Sequence, residues 1–223
     1  MPKKDVVKLN LKTNFSQSFD YSLFINDSTR LSVGIIEKHD LTEFLKTNST
    51  INFYNVLKGK VDITHQQTSN IETFQVGESF IITQFNDLQW AVYNDTQLIY
   101  LTYELDTLNQ IDELESNKII PINKNNSTPW QKTSDGFKKK LIYSNHNKKF
   151  TAGVWLGKAF KTDFIDFPYN EFIFINEGSL VCTDENNIDH VINSGESLLI
   201  PQGVKCSWQS FDIISIHFVQ IKQ

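Results

Sequence analysis

"GESFIITQFNDLQW" (residues 77–90) and "GESLLIPQGVKCSW" (residues 195–208) start 118 residues apart and agree at six of their fourteen positions. A solenoid repeats every 20–50 residues or so, whereas a unit of about 110 residues is a small domain in itself. The likeness spreads outward from this pair. "LSVGIIEKHDLTEFLKTNSTINFYNVLKGKVDIT" (31–64) matches "FTAGVWLGKAFKTDFIDFPYNEFIFINEGSLVCT" (150–183), which aligns Gly34 with Gly153 and Gly59 with Gly178. Each half then crosses a polar turn, Gln66–Asn70 or Asp184–Asn187, and finishes in a β-rich run, "LIYLTYEL" (98–105) or "IISIHFVQI" (213–221). The polar, charged stretch "NQIDELESN" (109–117) marks the seam. The halves are therefore expected to be two domains, 1–108 and 118–223. The copies differ in one respect: Pro201, Gly203 and Cys206 of the second stand where the first has Thr83, Phe85 and Leu88.

Periodic segments are short and rich in Ile, Val, Phe, Tyr and Thr, with Asn, Asp, Ser, Lys and Gly between them, which is the pattern of strands and turns. "LTEFLK" (41–46) and "DTLNQIDELES" (106–116) are the only helical candidates. Many short strands at regular spacing predict an all-β sandwich or barrel. Hydrophobic residues make up 39% of the chain and Phe alone accounts for 17 positions, enough for a packed core and against disorder.

The net charge is −5, and lysines are adjacent only at Lys3-Lys4, Lys138-Lys139-Lys140 and Lys148-Lys149, which excludes the basic stripe that nucleic-acid binding needs. "MPKKDVVKLNL" has no apolar segment of the signal-peptide kind, and no run approaches 18 apolar residues. The Asn-x-Ser/Thr triplets, Asn26, Asn48, Asn125 and Asn126 among them, are expected to be chance matches in an Asn-rich chain. Two cysteines, Cys182 and Cys206, do not make a disulfide framework, and a cytoplasmic location with reduced thiols is expected. Neither nucleic acid nor a membrane is an expected partner.

The second half carries Glu171 and Gly178 in the spacing E-x6-G, then Gly195, Pro201 and Gly203 in the spacing G-x5-P-x-G. These resemble the two sequence motifs of the cupins, G-x5-H-x-H-x3/4-E-x6-G and G-x5-P-x-G-x2-H-x3-N. Further matches are Gly153-Val154-Trp155, Asn170-Glu171-Phe172, Thr183-Asp184, Gly195-Glu196-Ser197 and Trp208. With these the chain looks most like the subgroup that includes the ethanolamine-utilisation cupin and ureidoglycine aminohydrolase. The resemblance covers most of residues 119–220 and, through the repeat, extends to about 5–107. It implies a bicupin: two tandem double-stranded β-helix (jelly-roll) barrels.

In that family a metal is held by two His and a Glu of the first motif and a His of the second. Here the first two positions fall on Ile165 and Phe167, or on Phe164 and Asp166 with the longer spacing, and the last falls on Cys206. Only Glu171 survives. The first half has Asn52 for the Glu and Leu88 for the last His. One carboxylate does not hold a transition metal, so no cofactor is expected. The remaining route to a divalent metal is a rebuilt site from Glu171, Cys206 and His217. A barrel-facing carboxylate needs a partner or a raised pKa, which makes Glu171 the residue to watch. The other candidate ligand-binding residues are Tyr169, Trp155 and Trp208, the tryptophans as apolar walls.

Three functions are compatible with these residues. The first is an unconventional bicupin that binds a small polar molecule in the C-terminal barrel or serves as a scaffold. The second is a metal-dependent enzyme of the ureidoglycine-aminohydrolase kind. The third is a sensor or interaction protein with two structural barrels. Strands such as 171–175, apolar on both faces, need cover on both sides, and a homodimer is one way to supply it. Elemental analysis of protein purified without a His tag separates the second from the rest. The expected result is Mn, Fe, Ni and Zn each far below one per chain. A stoichiometric metal lost on substituting Glu171, Cys206 or His217 would establish the rebuilt site.

Overall fold

The computed structural model describes residues 6–9, 19–26, 30–44, 49–83, 88–105, 119–133 and 137–222. Among them there is no helix, and so none long and apolar enough to cross a membrane. "LTEFLK" is extended: β4 (Leu41–Phe44) pairs with β8 (Leu88–Glu104), Leu41 opposite Val92. Cross-strand partners override a weak local helical tendency. The other helical candidate, 106–116, lies outside the described residues.

The chain divides into two compact units, Thr13–Pro121 and Met1–Lys12 with Ile122–Gln223. The first holds one eight-stranded sheet. Its path runs β2 (Phe19–Asn26), β3 (Leu31–Lys38), β8, β5 (Thr50–His65), β7 (Ser79–Ile82), β9 (Ile119–Ile122), with β4 on β8 and β6 (Ile71–Gln75) on β5. The second holds two sheets. One has seven strands in the order β1 (Val7–Leu9), β18 (Ser197–Ile200), β15 (Asn170–Glu177), β20 (Ile214–Ile221), β12 (Phe150–Gly157), β11 (Lys138–Ser144), β10 (Gln131–Lys132). The other has five: β13 (Phe160–Lys161), β19 (Lys205–Ser210), β16 (Ser179–Asp184), β17 (Asp189–Asn193), and β14 (Ile165–Asp166) on β19. No sheet of the described residues closes on itself by hydrogen bonds into a barrel. The core of the second unit lies between its two sheets: Ile173, Ile175, Ile216 and Phe218 of one meet Leu180, Cys182, Cys206 and Trp208 of the other.

Two strands cross the boundary expected from the sequence. β1 pairs with β18 of the C-terminal half, Val7 opposite Leu199 and Leu9 opposite Ser197, and β9 joins β7 of the N-terminal half. Each covers an edge that would otherwise expose unpaired backbone groups.

The registers of the two halves are the same. Gly34 faces Tyr100 as Gly153 faces Phe218. Asn52 faces Ile82 and Thr102 as Glu171 faces Ile200 and Gln220. The repeated Gly-Glu-Ser has a local explanation. Gly77 and Gly195 sit at φ +86° and +84°, inside turns closed by Glu78 N–H to Gln75 O and by Glu196 N–H to Asn193 O, each 2.9 Å. The Glu side chain then turns back on the turn's first residue: Glu78 Oε2 accepts from Gln75 N at 2.7 Å and Glu196 Oε2 from Asn193 N at 2.8 Å. Glycine supplies the left-handed backbone, Glu the cap, and the buried Ser opens the next strand.

Gly178 and Gly195 share φ +84° but differ in surroundings. A Cβ on Gly178 would lie 2.3 Å from Ile213 O, whereas one on Gly195 would meet nothing within 4 Å. Gly195→Ala is expected to cost about 1 kcal/mol, the left-handed penalty alone. Gly178→Ala should cost at least about 3 kcal/mol. Urea denaturation of the two variants, compared at one pH, checks the ordering.

Candidate functional site

The seven-stranded sheet presents alternate residues to the core. On β15 these are Glu171, Ile173 and Ile175; on β20, Gln220, Phe218 and Ile216 stand directly opposite. Most of this face is apolar, and the polar pair Glu171–Gln220 sits at one end of it. There a cavity of about 220 Å³ opens. Phe137, Trp155, Phe160, Ile165, Phe167 and Trp208 form its apolar wall, and Thr133, Thr162, Tyr169 and Glu171 its polar groups. The volume lies below the range of about 300–1,000 Å³ usual for drug-sized ligands.

The wall is fixed by packing and by one turn. Trp155 lies 5.6 Å from Trp208 and 5.2 Å from Phe218, centroid to centroid. Phe167 lies 5.4 Å from Trp208. Pro201 and Gly203 form the turn that seats Phe167: Gly203 N–H bonds to Phe167 O at 2.8 Å and Phe167 N–H to Val204 O at 3.0 Å. Gly203 has φ +84°. Of the counterpart positions in the first half, Thr83 and Leu88 are described, and Phe85 lies outside the described residues.

Glu171 is 1% exposed. Its Oε1 accepts from Gln220 Nε2 at 3.0 Å, and the same nitrogen donates to the Tyr169 hydroxyl at 3.1 Å. Gln220 Oε1 accepts from Lys139 Nζ at 3.2 Å. Lys139 also lies over the rings of Phe218 and Trp155, at 4.4 and 5.5 Å from their centroids. Burial pushes the Glu171 carboxyl up to about 7, against the opposing effects of the Gln220 hydrogen bond and the Lys139 charge. Burial likewise lowers the Lys139 ammonium, which Glu171 partly restores. Tyr169 is raised by burial and by Glu171.

The candidates from the sequence divide into two groups. Glu171, Tyr169, Trp155 and Trp208 meet at the cavity. Cys206 is fully buried in the core and is not among the lining residues. Its thiol hydrogen-bonds to Cys182, whose own thiol is pushed up by that contact and by burial. Both thiols are free. His217 does not approach Glu171. It stands three residues from Gln220 on a regular strand, so its side chain is on the opposite face, level with Phe174. There it is 2% exposed, its Nε2 lies 2.8 Å from Asn176 Nδ2, and burial lowers its pKa to about 4. The rebuilt metal site is therefore not assembled. Ile165 and Phe167 line the cavity without a donor atom, and no three His, Cys, Asp or Glu side chains converge among the described residues. Glu171, Cys206 and His217 do not together form a divalent-metal site.

Gln220 and Lys139 were missed in the sequence. Strand alternation counted back from the chain end, with β20 paired to β15, would have found Gln220. Lys139 is the middle member of a three-lysine run, and its pairing with Trp155 turns it inward.

No protein-family model matches the chain, and no curated protein does. Solved structures do. A protein of unknown function of the DUF861 family from Pseudomonas syringae pv. tomato is similar over 98% of this chain and 100% of its own, with a TM-score of 0.82 at 14% identity. A cupin 2 conserved barrel domain protein from Leptotrichia buccalis matches 95% of this chain and 92% of its own (TM-score 0.68, 10% identity). Quercetin 2,3-dioxygenase from Acinetobacter baumannii matches 98% and 86% (TM-score 0.53, 12% identity). The chain has a cupin-type β fold.

Glu171 and His217 pull the pH dependence of stability in opposite directions. The raised Glu171 contributes stability that is full below its ordinary value of 4.5 and is lost as pH rises through about 7. The depressed His217 contributes stability that is full above 6.5 and is lost as pH falls through about 4. Between pH 4.5 and 6.5 the two slopes offset each other. Glu171→Gln should leave the His217 slope alone. Relative to wild type, the variant is expected to gain on the order of 3 kcal/mol between pH 4.5 and pH 8. Urea denaturation at the two pH values measures it; parallel curves would refute the raised Glu171.

Proposed function

We propose that this chain is a bicupin of the ethanolamine-utilisation and ureidoglycine-aminohydrolase kind in architecture, that it lacks the usual metal, and that it binds a small molecule in the C-terminal unit. The single observation that carries this reading is the Glu171 carboxyl: buried, one oxygen held by Gln220, the other making no hydrogen bond among the described residues, at the edge of an aromatic-walled cavity. A carboxyl kept in such a place costs stability unless something meets it. The identical registers and matching turns of the two halves support the tandem arrangement. An intracellular setting, where Cys182 and Cys206 stay reduced, belongs to the same proposal.

The chemistry on offer is binding and orientation. Trp155, Trp208, Phe137 and Phe167 exclude water and grip an apolar body, while Glu171 and Tyr169 fix one polar group of the ligand. Among the described residues that line the cavity there is no nucleophile with an adjacent base, and the reading offered here is recognition.

A panel of small neutral, anionic and cationic aromatic fragments, followed by intrinsic tryptophan fluorescence, tests the proposal. At least one fragment is expected to bind at sub-millimolar concentration. Ile165→Trp, which narrows the mouth at a 41% exposed position, should abolish that signal and leave the melting temperature unchanged. A panel that gives no binding would favour a scaffold or interaction protein.

A further inference from the structure

The hydrogen-bond chain from Lys139 to the cavity has a direction. An ammonium only donates, so the oxygen of the Gln220 amide must face Lys139 Nζ, at 3.2 Å. The amide nitrogen then faces the other way, and its two hydrogens go to Tyr169 Oη at 3.1 Å and Glu171 Oε1 at 3.0 Å. Tyr169 therefore receives at its oxygen, and its own O–H has no acceptor among the described residues. Glu171 receives at Oε1, which leaves Oε2 to carry the proton whenever the carboxyl is neutral. Both residues line the cavity. Lys139 thus sets the orientation of two groups it does not touch.

We propose that Tyr169 and Glu171 form a two-donor clamp for a single carbonyl oxygen on a small, otherwise apolar ligand. This rests on the ligand-binding reading above and narrows it to a ligand class. A hydroxyl and a neutral carboxyl side by side present two hydrogens to one acceptor, and the aromatic wall takes the rest of the molecule. An organic cation would need the opposite arrangement, with ionised Glu171 as acceptor and no donor beside it. Lys139, 3.2 Å from the shared amide, already supplies the positive charge of this neighbourhood.

Protonation of Glu171 controls the clamp. The charged group that acts on it is Lys139 on β11, and Glu171 in turn raises Tyr169, just before β15. The flanking strands β18 and β20 place Ile200 and Gln220 opposite it, and neither titrates. With a carboxyl at about 7, the second donor is present at pH 6 and absent at pH 8, where Oε2 repels a carbonyl oxygen instead. Binding is thus coupled to proton uptake.

Isothermal titration calorimetry with acetophenone as the carbonyl probe and benzylamine as the cationic one tests this at pH 6 and pH 8. Acetophenone is expected to bind wild-type protein about tenfold more tightly at pH 6. Tyr169→Phe should weaken binding about fivefold at pH 6. Glu171→Gln, which keeps an N–H donor but cannot titrate, should bind equally at both pH values. Equal wild-type affinity at the two pH values, or tighter binding of benzylamine with affinity rising towards pH 8, would overturn the clamp and leave the ligand cavity standing. If neither probe nor any fragment of the panel binds, the ligand cavity falls and the clamp with it. Should either variant fail to fold, the wild-type pH dependence for the two probes decides.

Discussion

The antiparallel register of β15 against β20 governs both the core and the cavity. Glu171 opposite Gln220, Ile173 opposite Phe218 and Ile175 opposite Ile216 put one polar pair at the end of an apolar face. A slip of one residue would turn Phe172, Phe174 and His217 onto that face and send the carboxyl to the other side. The turns at Gly178 and Gly195 fix where β15 ends and β18 begins, and so hold the register. Their left-handed backbone, and the backbone oxygen 2.3 Å from where a Gly178 Cβ would stand, leave little freedom for other residues.

A buried carboxyl and a partly buried ammonium are each costly alone, and here they do not touch. The Gln220 amide lies between them, its oxygen towards Lys139 and its nitrogen towards Glu171. The amide dipole is aligned favourably at both ends, so the two charged groups stabilise each other without forming an ion pair. This moderates the desolvation of Glu171 without cancelling it, which is why its carboxyl remains raised. A direct salt bridge would have favoured the ionised form of Glu171. With the relay, Gln220 meets only Oε1 of the carboxyl.

The repeat, the strand-rich composition and the paired glycines could be read from the sequence because each has a local cause: alternation, turn chemistry, positive φ. The cupin-like spacing was also enough to bring Glu171, Ile165 and Phe167 to one cavity. What failed was the step from spacing to convergence. His217 is grouped with Glu171 because the last strand also faces the interior in the cupin fold, but the odd interval from Gln220 places it on the other face. Cys206 was grouped with the site through the motif, and its thiol turns to Cys182 instead. The placement of β1 and β9 could not be read locally at all. A three- or four-residue strand joins whichever sheet edge lies open, and that is decided by tertiary structure.

The two halves also put the same three positions to different use. Thr50, Asn52 and Thr102 of the first correspond to Tyr169, Glu171 and Gln220 of the second, and in both the three side chains are linked by hydrogen bonds. In the first half the Asn52 amide is spent internally: Oδ1 accepts from Thr102 Oγ1 at 2.6 Å and Nδ2 donates to Thr50 Oγ1 at 2.7 Å. In the second, Gln220 is the group that is spent, and it leaves a hydroxyl proton on Tyr169 and an oxygen on Glu171 uncommitted. A neutral trio that satisfies itself can be buried without a further partner, and Thr50 and Asn52 are buried. A trio with two open groups cannot be buried so cheaply and keeps a cavity beside it. The polar positions are shared by both copies, and the two trios differ in which member carries the amide: Asn52 in the first, Gln220 in the second.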